Sequence, residues 1–236
     1  MWDGMAQGSE MAERGKTWAR RSGTGGPLEL ELHPLTPDRW DDLVGLFGKR
    51  GACGGCWDMW WRIPPAQWKA QKGDGNRRAF RRIVKAGPPP GVLAYADGRA
   101  VGWCAVGPRE DYPRLEGSEV LARVDDLPVW SVGCLFVART YRKRGVSVAL
   151  LRAAALYAAS MGASIVEGYP KTAQRPEPDV FVWTGVEAAF AEAGFREAVR
   201  RSPTKPIMRL QVGVDGGSGA RGRRGGRTAA KTRPRD

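Results

Sequence analysis

Apolar and polar residues alternate along Leu28-Glu29-Leu30-Glu31-Leu32, a period of two that predicts a half-exposed strand. The period changes after Thr36-Pro37-Asp38-Arg39, where a proline stands near the first turn of a predicted helix running to about Phe47. Glycines at 51–55 break that pattern. Trp57-Asp58-Met59-Trp60-Trp61-Arg62 follows, and Pro64-Pro65 opens another helix, interrupted near Gly73-Asp74-Gly75 and resuming from Asn76 to Lys85. Two apolar runs, 91–96 and 100–106, flank Asp97-Gly98-Arg99 and read as a hairpin with an Asp-Gly turn. A looser stretch, 108–128, includes a short predicted helix near 118–124. A mostly apolar strand at 129–137 leads through a basic turn into an Ala/Leu-rich helix. Apolar residues at Val146, Leu150, Ala153, Tyr157 and Met161 lie close to a 3.6-residue period. A strand at 163–169 and a loop rich in Pro, Lys and Asp come next. The loop is followed by a helix at 186–193 that stops at Gly194, then strands near 196–201 and 206–212. The order β-α-α-β-β-β-α-β-α-β-β predicts an α/β chain with one mixed sheet and helices on both faces.

The first chemistry appears where strand gives way to helix. Tyr141-Arg142-Lys143-Arg144-Gly145-Val146-Ser147 is a basic, glycine-containing turn that opens directly into the helix. The first N–H groups of a helix have no partner within it, and the helix dipole adds partial positive charge there. Arg142, Lys143 and Arg144 add full charges. Such a turn on a β-α-β unit predicts a phosphate cradle.

Arg142-Lys143-Arg144-Gly145-Val146-Ser147 resembles the R/Q-x-x-G-x-G/A loop of the Gcn5-related N-acetyltransferase (GNAT) superfamily. Phe190-Ala191-Glu192-Ala193-Gly194-Phe195 resembles that superfamily's Y-x-x-x-G-F signature, and the resemblance extends over residues 28–212. It implies an acyl-CoA N-acyltransferase fold, α/β, with a central mixed sheet of six to seven strands. It also implies acetyl-CoA as co-substrate, held at the pyrophosphate by Arg142, Lys143, Arg144, Gly145, Val146, Ser147 and Val148. Leu135, Phe136 and Val137 would pair with the pantetheine as if it were an added strand. The implied activity moves an acetyl group to a primary amine of a small molecule or peptide, by direct attack in a ternary complex. Two positions depart from the pattern. Ser147 stands where the loop usually has Gly or Ala, and Phe190 stands where a general-acid tyrosine is frequent.

Acetyl transfer needs a base for the amine and a proton for the departing thiolate. Glu167, a carboxylate within an apolar strand, is the candidate base, and Tyr169 at the end of that strand is the candidate acid. Glu110 and Asp111 are alternative carboxylates. The acceptor is expected beside the tryptophan-rich segment. Trp57, Trp60 and Trp61 can stack on planar groups or hold cations, Asp58 can pair with an amine and Arg62 with a carboxylate.

Composition narrows the alternatives. The chain has 236 residues and a net charge of +13, which admits nucleic acid as a partner. Residues 213–236 carry a net of +5 of this charge. That Gly/Ala/Arg-rich tail, like residues 1–26, is expected to be disordered, leaving one domain at 27–212. No run of about 18 apolar residues exists to span a membrane, residues 1–26 contain no secretory apolar core, and a cytoplasmic location is expected. The single histidine, His33, weighs against a Ser-His-Asp hydrolase or a multi-histidine metal site, and no metal is expected. Cys104 and Cys134 fall in predicted strands, and Cys53-Gly54-Gly55-Cys56 lacks a second pair for zinc. Besides a metal or redox module at Cys53 and Cys56, two readings compete with the acetyltransferase. One is an acyl-CoA-binding protein without turnover, motivated by Phe190. The other is a nucleic-acid-associated protein acting weakly through its tail. Either a monomer or a homodimer is compatible with the sequence.

Overall fold

The computed structural model describes residues 16–22, 25–172 and 183–213, with side chains from residue 28 onward. The expected basic tail beyond residue 213 and part of the Pro/Lys/Asp-rich loop, 173–182, lie outside the described residues.

The strands are β1 (Lys16–Ser22), β2 (Gly25–Pro34), β3 (Gly91–Ala96), β4 (Arg99–Pro108), β5 (Trp130–Val137), β6 (Ile165–Gly168), β7 (Arg196–Arg200) and β8 (Pro206–Gln211). They form one sheet in the order β1-β2-β3-β4-β5-β6-β8-β7. Every neighbouring pair is antiparallel except β5 and β6. The helices are α1 (Trp40–Phe47), α2 (Pro65–Ala70), α3 (Asp74–Ala86), α4 (Val146–Ser160) and α5 (Glu187–Ala193). Among the described residues no helix is long and apolar enough to cross a membrane.

Two expectations change. β1 lies inside the segment expected to be disordered and pairs with β2 from Lys16↔Leu32 to Ser22↔Gly25. Its residues show no strict alternation, so hydrophobic period gave no sign of it. The helix expected near 118–124 is absent. Short 3-10 turns at Arg109–Asp111 and Pro113–Leu115 precede a run of turns and bends there.

The sheet separates two cores. Leu93, Tyr95, Trp103 and Ala105 pack with α1 and α3 on one face. Val92, Ala94, Cys104, Val106 and Val166 pack with α4 and Phe190 on the other. Helix α4 consists largely of Ala and Leu, the best helix formers. It buries Val146, Leu150, Leu151 and Tyr157, each contributing roughly 1.5–3 kcal/mol if taken wholly from water.

A bulge in β5 shapes the rest. Ala105 pairs with Cys134 and Val106 with Val132, so Gly133 has no opposite number. The extra residue reverses the alternation. Val132 and Leu135 therefore face α4, whereas Cys134 and Phe136 face the α1 side. Pairing of β5 with β6 stops at Val132↔Gly168. Beyond that point β5 leaves an open edge.

Candidate active site

The cradle is built where β5 turns into α4. Lys143 (φ 58°) and Gly145 (φ 83°) both adopt left-handed backbone, and Gly145 caps the helix without a side chain. Glycine takes this conformation without strain and leaves no Cβ in front of the first N–H groups. A cavity of about 310 Å³ lies there, lined by Val137, Tyr141, Arg142, Lys143, residues 145–148 and the α5 side. The Arg142 guanidinium donates to the Val137 carbonyl at 3.0 Å, which ties the loop to the strand. Arg144 is not on this lining and stacks over Tyr141 at 5.4 Å instead.

A second cavity, of about 490 Å³, continues along the open edge of β5. It shares Val137, Arg142, Lys143 and Ser147 with the cradle and adds Leu135, Phe136, Cys53 and Trp183. The Leu135 N–H points across this edge and donates to the Trp183 carbonyl at 2.7 Å. Alternation along the backbone turns the Val137 N–H toward the same edge.

The groove ends in a third cavity of about 350 Å³, walled by Phe47, Trp60, Trp68, Phe136 and Trp183, with Cys53, Cys56, Cys134, Lys72 and Asp58. Trp60 meets Trp68 edge-on at 5.2 Å and Trp183 at 6.3 Å. Asp58 reaches this space because two successive residues, Trp57 (φ 49°) and Asp58 (φ 60°), take left-handed backbone. That conformation is unfavourable for side chains other than glycine and persists where its surroundings hold it. It sends Trp57 into the core against Trp40 and Phe47. The Asp58 side chain is only 3 % exposed and pairs with Arg62 at 3.4 Å. Burial holds the Asp58 carboxyl above the usual carboxylate range, and Arg62 opposes this in part. The Cys134 thiol is pushed well up by burial, with Asp58 adding to the effect.

Of the residues expected to meet the acceptor, Asp58 and Trp60 line the cavity. Trp57 is a core residue. Trp61 donates its indole N–H to the Gly133 carbonyl at 3.1 Å and so braces the bulge. Arg62 is buried, donates to the Tyr112 hydroxyl at 3.2 Å and lies over its ring at 4.6 Å. Glu110 pairs with Arg123 at 3.0 Å on the surface, with 63 % of its side chain exposed.

Glu167 and Tyr169 are not brought to the groove. Ser131, Glu167 and Arg209 are register partners on adjacent strands, so their side chains share one face. Glu167 receives Arg109 at 2.9 Å, Arg209 at 2.8 Å and the Tyr169 hydroxyl at 2.8 Å. The Tyr169 hydroxyl also lies 2.8 Å from Ser131 Oγ and 2.8 Å from the Arg109 guanidinium. Burial, then Glu167, pushes the Tyr169 phenol far up. Both residues belong to a buried ionic cluster that anchors the 109–125 segment to β6 and β8. Phe190 is fully buried and fills the space over Gly168, where a Cβ would strike its ring.

Phe47, Trp68, Lys72 and Trp183 line the cavity as well, and the sequence alone does not mark them as its walls. Trp68 left a signal, a lone large apolar side chain on the short helix α2. Trp183 left none, since it meets Trp60 and Leu135 only through tertiary contact.

A structure of an insect arylalkylamine N-acetyltransferase from the yellow fever mosquito shares the fold, with a TM-score of 0.50 at 14 % identity. The match covers 85 % of this chain and 97 % of the mosquito chain. The GNAT domain of S. lividans PAT matches at a TM-score of 0.48 and 13 % identity, over 84 % of this chain and 96 % of its own. An aminoglycoside N-acetyltransferase in complex with CoA matches at 0.46 and 20 % identity, over 76 % and 95 %. No curated protein matches the sequence. Residues 57–173 match the profile of the acetyltransferase (GNAT) family. This match spans the tryptophan segment, the bulged strand and the basic turn before α4, and the chain belongs to the GNAT acetyltransferase family.

Proposed function

We propose that the protein is an acetyl-CoA-dependent N-acetyltransferase that acylates a primary amine by direct attack in a ternary complex. The observation that carries this reading is the continuity of the groove. It starts at the N-terminus of α4, follows the open edge of β5 and ends at the buried carboxylate of Asp58.

The residues present fit the coenzyme. The first-turn N–H groups of α4 and the charges of Arg142 and Lys143 suit a pyrophosphate. The Leu135 carbonyl and Val137 N–H suit the amides of a pantetheine laid along the edge. When bound, the coenzyme supplies an acetyl thioester. Around it, Phe47, Phe136 and the tryptophans exclude water, and Asp58 accepts the proton of the amine. The Leu135 N–H donates to the Trp183 carbonyl, so its use as a polarising donor requires that bond to open. Phe190 offers no proton for the thiolate, and this favours one alternative, acyl-CoA binding without turnover.

Calorimetric titration with acetyl-CoA, beside an Arg142→Ala/Lys143→Ala variant, tests the groove. Micromolar binding that the variant loses, followed by thiol release with an amine, supports the proposal. Binding without thiol release across a broad amine set supports the alternative, and absence of binding by folded protein rejects both.

A further inference from the structure

The walls of the terminal cavity specify an acceptor chemistry, and this deepens the acetyltransferase reading on which it rests. We infer that the acceptor is a monoamine with a flat apolar body, its ammonium held by Asp58 and its body held among Trp60, Trp68 and Trp183.

Charge is the first reason. Asp58 is the only carboxylate on the cavity wall among the described residues, and Lys72 stands on the same wall with its ammonium 5.5 Å from the Trp68 ring centre. One buried anion and one cation suit a single ammonium near Asp58. They oppose a second ammonium further out, because like charges repel and no second acid among the described residues of the wall answers it. Polyamines and polycationic sugars are therefore disfavoured.

Capacity is the second reason. Arg62 does not exhaust Asp58. Their separation of 3.4 Å is long for a charge-assisted bond, which closes to roughly 2.7–2.9 Å. The same guanidinium also serves the Tyr112 hydroxyl at 3.2 Å and Asp111 at 3.8 Å. The Trp103 indole and the Cys134 thiol also lie beside Asp58, but the two oxygens of an ionised carboxylate offer about four acceptor sites, so room remains for an ammonium.

Shape is the third. Trp60 stands at 86° to Trp68 and 74° to Trp183. Rings set at right angles offer both a face and an edge to a planar guest, and their faces attract a cation beside it. Arg114 lies 3.8 Å from the centre of the Trp60 ring and donates to the Trp60 carbonyl at 2.8 Å, which holds that wall in place.

The test compares phenethylamine and tryptamine with ethylamine, spermidine and kanamycin in a thiol-release assay on the full chain with acetyl-CoA. Amine binding is read independently by quenching of tryptophan fluorescence without coenzyme. The flat monoamines are expected to exceed the polycations by about 100-fold in kcat/KM, and Asp58→Asn to lose about 100-fold toward them, as when a desolvated charge loses its partner. Trp68→Ala is the second variant, because α2 is short and exposed apart from Trp68 itself. It should raise KM for tryptamine about tenfold with acetyl-CoA affinity unchanged. Preference for spermidine or kanamycin overturns the inference and leaves the acetyltransferase reading standing, and so does an unchanged KM in folded Trp68→Ala. Tryptamine binding without thiol release rejects turnover and supports the assigned cavity. Failure of every flat monoamine to bind or react overturns the inference outright.

Discussion

Asp58 and Glu167 are both buried carboxylates beside arginines, and their remaining partners divide their roles. Glu167 accepts from Arg109, Arg209 and Tyr169, so both its oxygens are occupied. Glu167→Gln leaves two guanidiniums without their shared anion. Such a loss costs about 3–5 kcal/mol. Urea denaturation should show a drop of that size, while calorimetry finds acetyl-CoA affinity unchanged in the folded fraction. A variant of full stability that fails only in turnover would return Glu167 to the chemistry. Asp58 leads to a different expectation. It lies beside Arg62, Trp103 and Cys134. Burial pushes the Cys134 thiol well up and keeps it neutral, leaving Arg62 as the charged partner. A base whose pKa is raised is lost to protonation at a higher pH than an ordinary carboxylate. Turnover at saturating amine should therefore fall as pH drops through this raised value. Asp58→Asn should show a low rate without that limb. A wild-type profile flat across the range would remove Asp58 as the proton acceptor.

Helix α4 and strand β6 owe their placement to two glycines. Gly145 caps α4 at φ 83°. Gly145→Ala forces an L side chain into left-handed backbone, at a cost of roughly 1–2 kcal/mol, and places a methyl group before the helix N-terminus. Both unfolding stability and acetyl-CoA affinity should fall, whereas Ser160→Ala at the far end of α4 should leave the affinity alone. Equal affinity in Gly145→Ala would place the pyrophosphate elsewhere. Gly168 is constrained by approach. A Cβ there meets the Phe190 ring directly, and overpacking of this kind costs about 1–3 kcal/mol. Gly168→Ala should lower the denaturation midpoint, and Gly168→Ala/Phe190→Leu should recover much of it.

Across the molecule, the clusters on both faces share β3, β4 and β5. Neither core can empty without exposing the back of the same strands. Denaturation followed by tryptophan fluorescence and by far-ultraviolet circular dichroism should therefore give coincident transitions. Acetyl-CoA at 100 times its Kd should raise the unfolding free energy by about 2.7 kcal/mol. Separated transitions would show that the α1–α3 layer melts apart from the sheet, and absence of a ligand effect would count against the groove.

Local chemistry alone set most of the element order. Asp97-Gly98 closes a hairpin through positive φ at both residues, Gly194 stops α5, and the Ala/Leu run of α4 is helical by propensity. The basic turn that opens α4 was legible for the same reason, since a strand, a basic glycine turn and a helix N-terminus are contiguous in the chain. What the sequence could not express were contacts between distant segments. The strand β1 is defined by pairing with β2 rather than by a period of its own. The bulge at Gly133 depends on which residues of β4 oppose it, and it decides that Cys134 faces the acceptor cavity. Glu167 looked available because Arg109 and Arg209 reach it from other elements. The converse holds for Trp68 and Trp183, which acquire a role only when folding sets them beside Trp60 and Asp58. Periodicity and turn preference act over a few residues and are written in order along the chain. The partners of a buried charge, and the walls of a cavity, are chosen by packing and exist only once the sheet has formed.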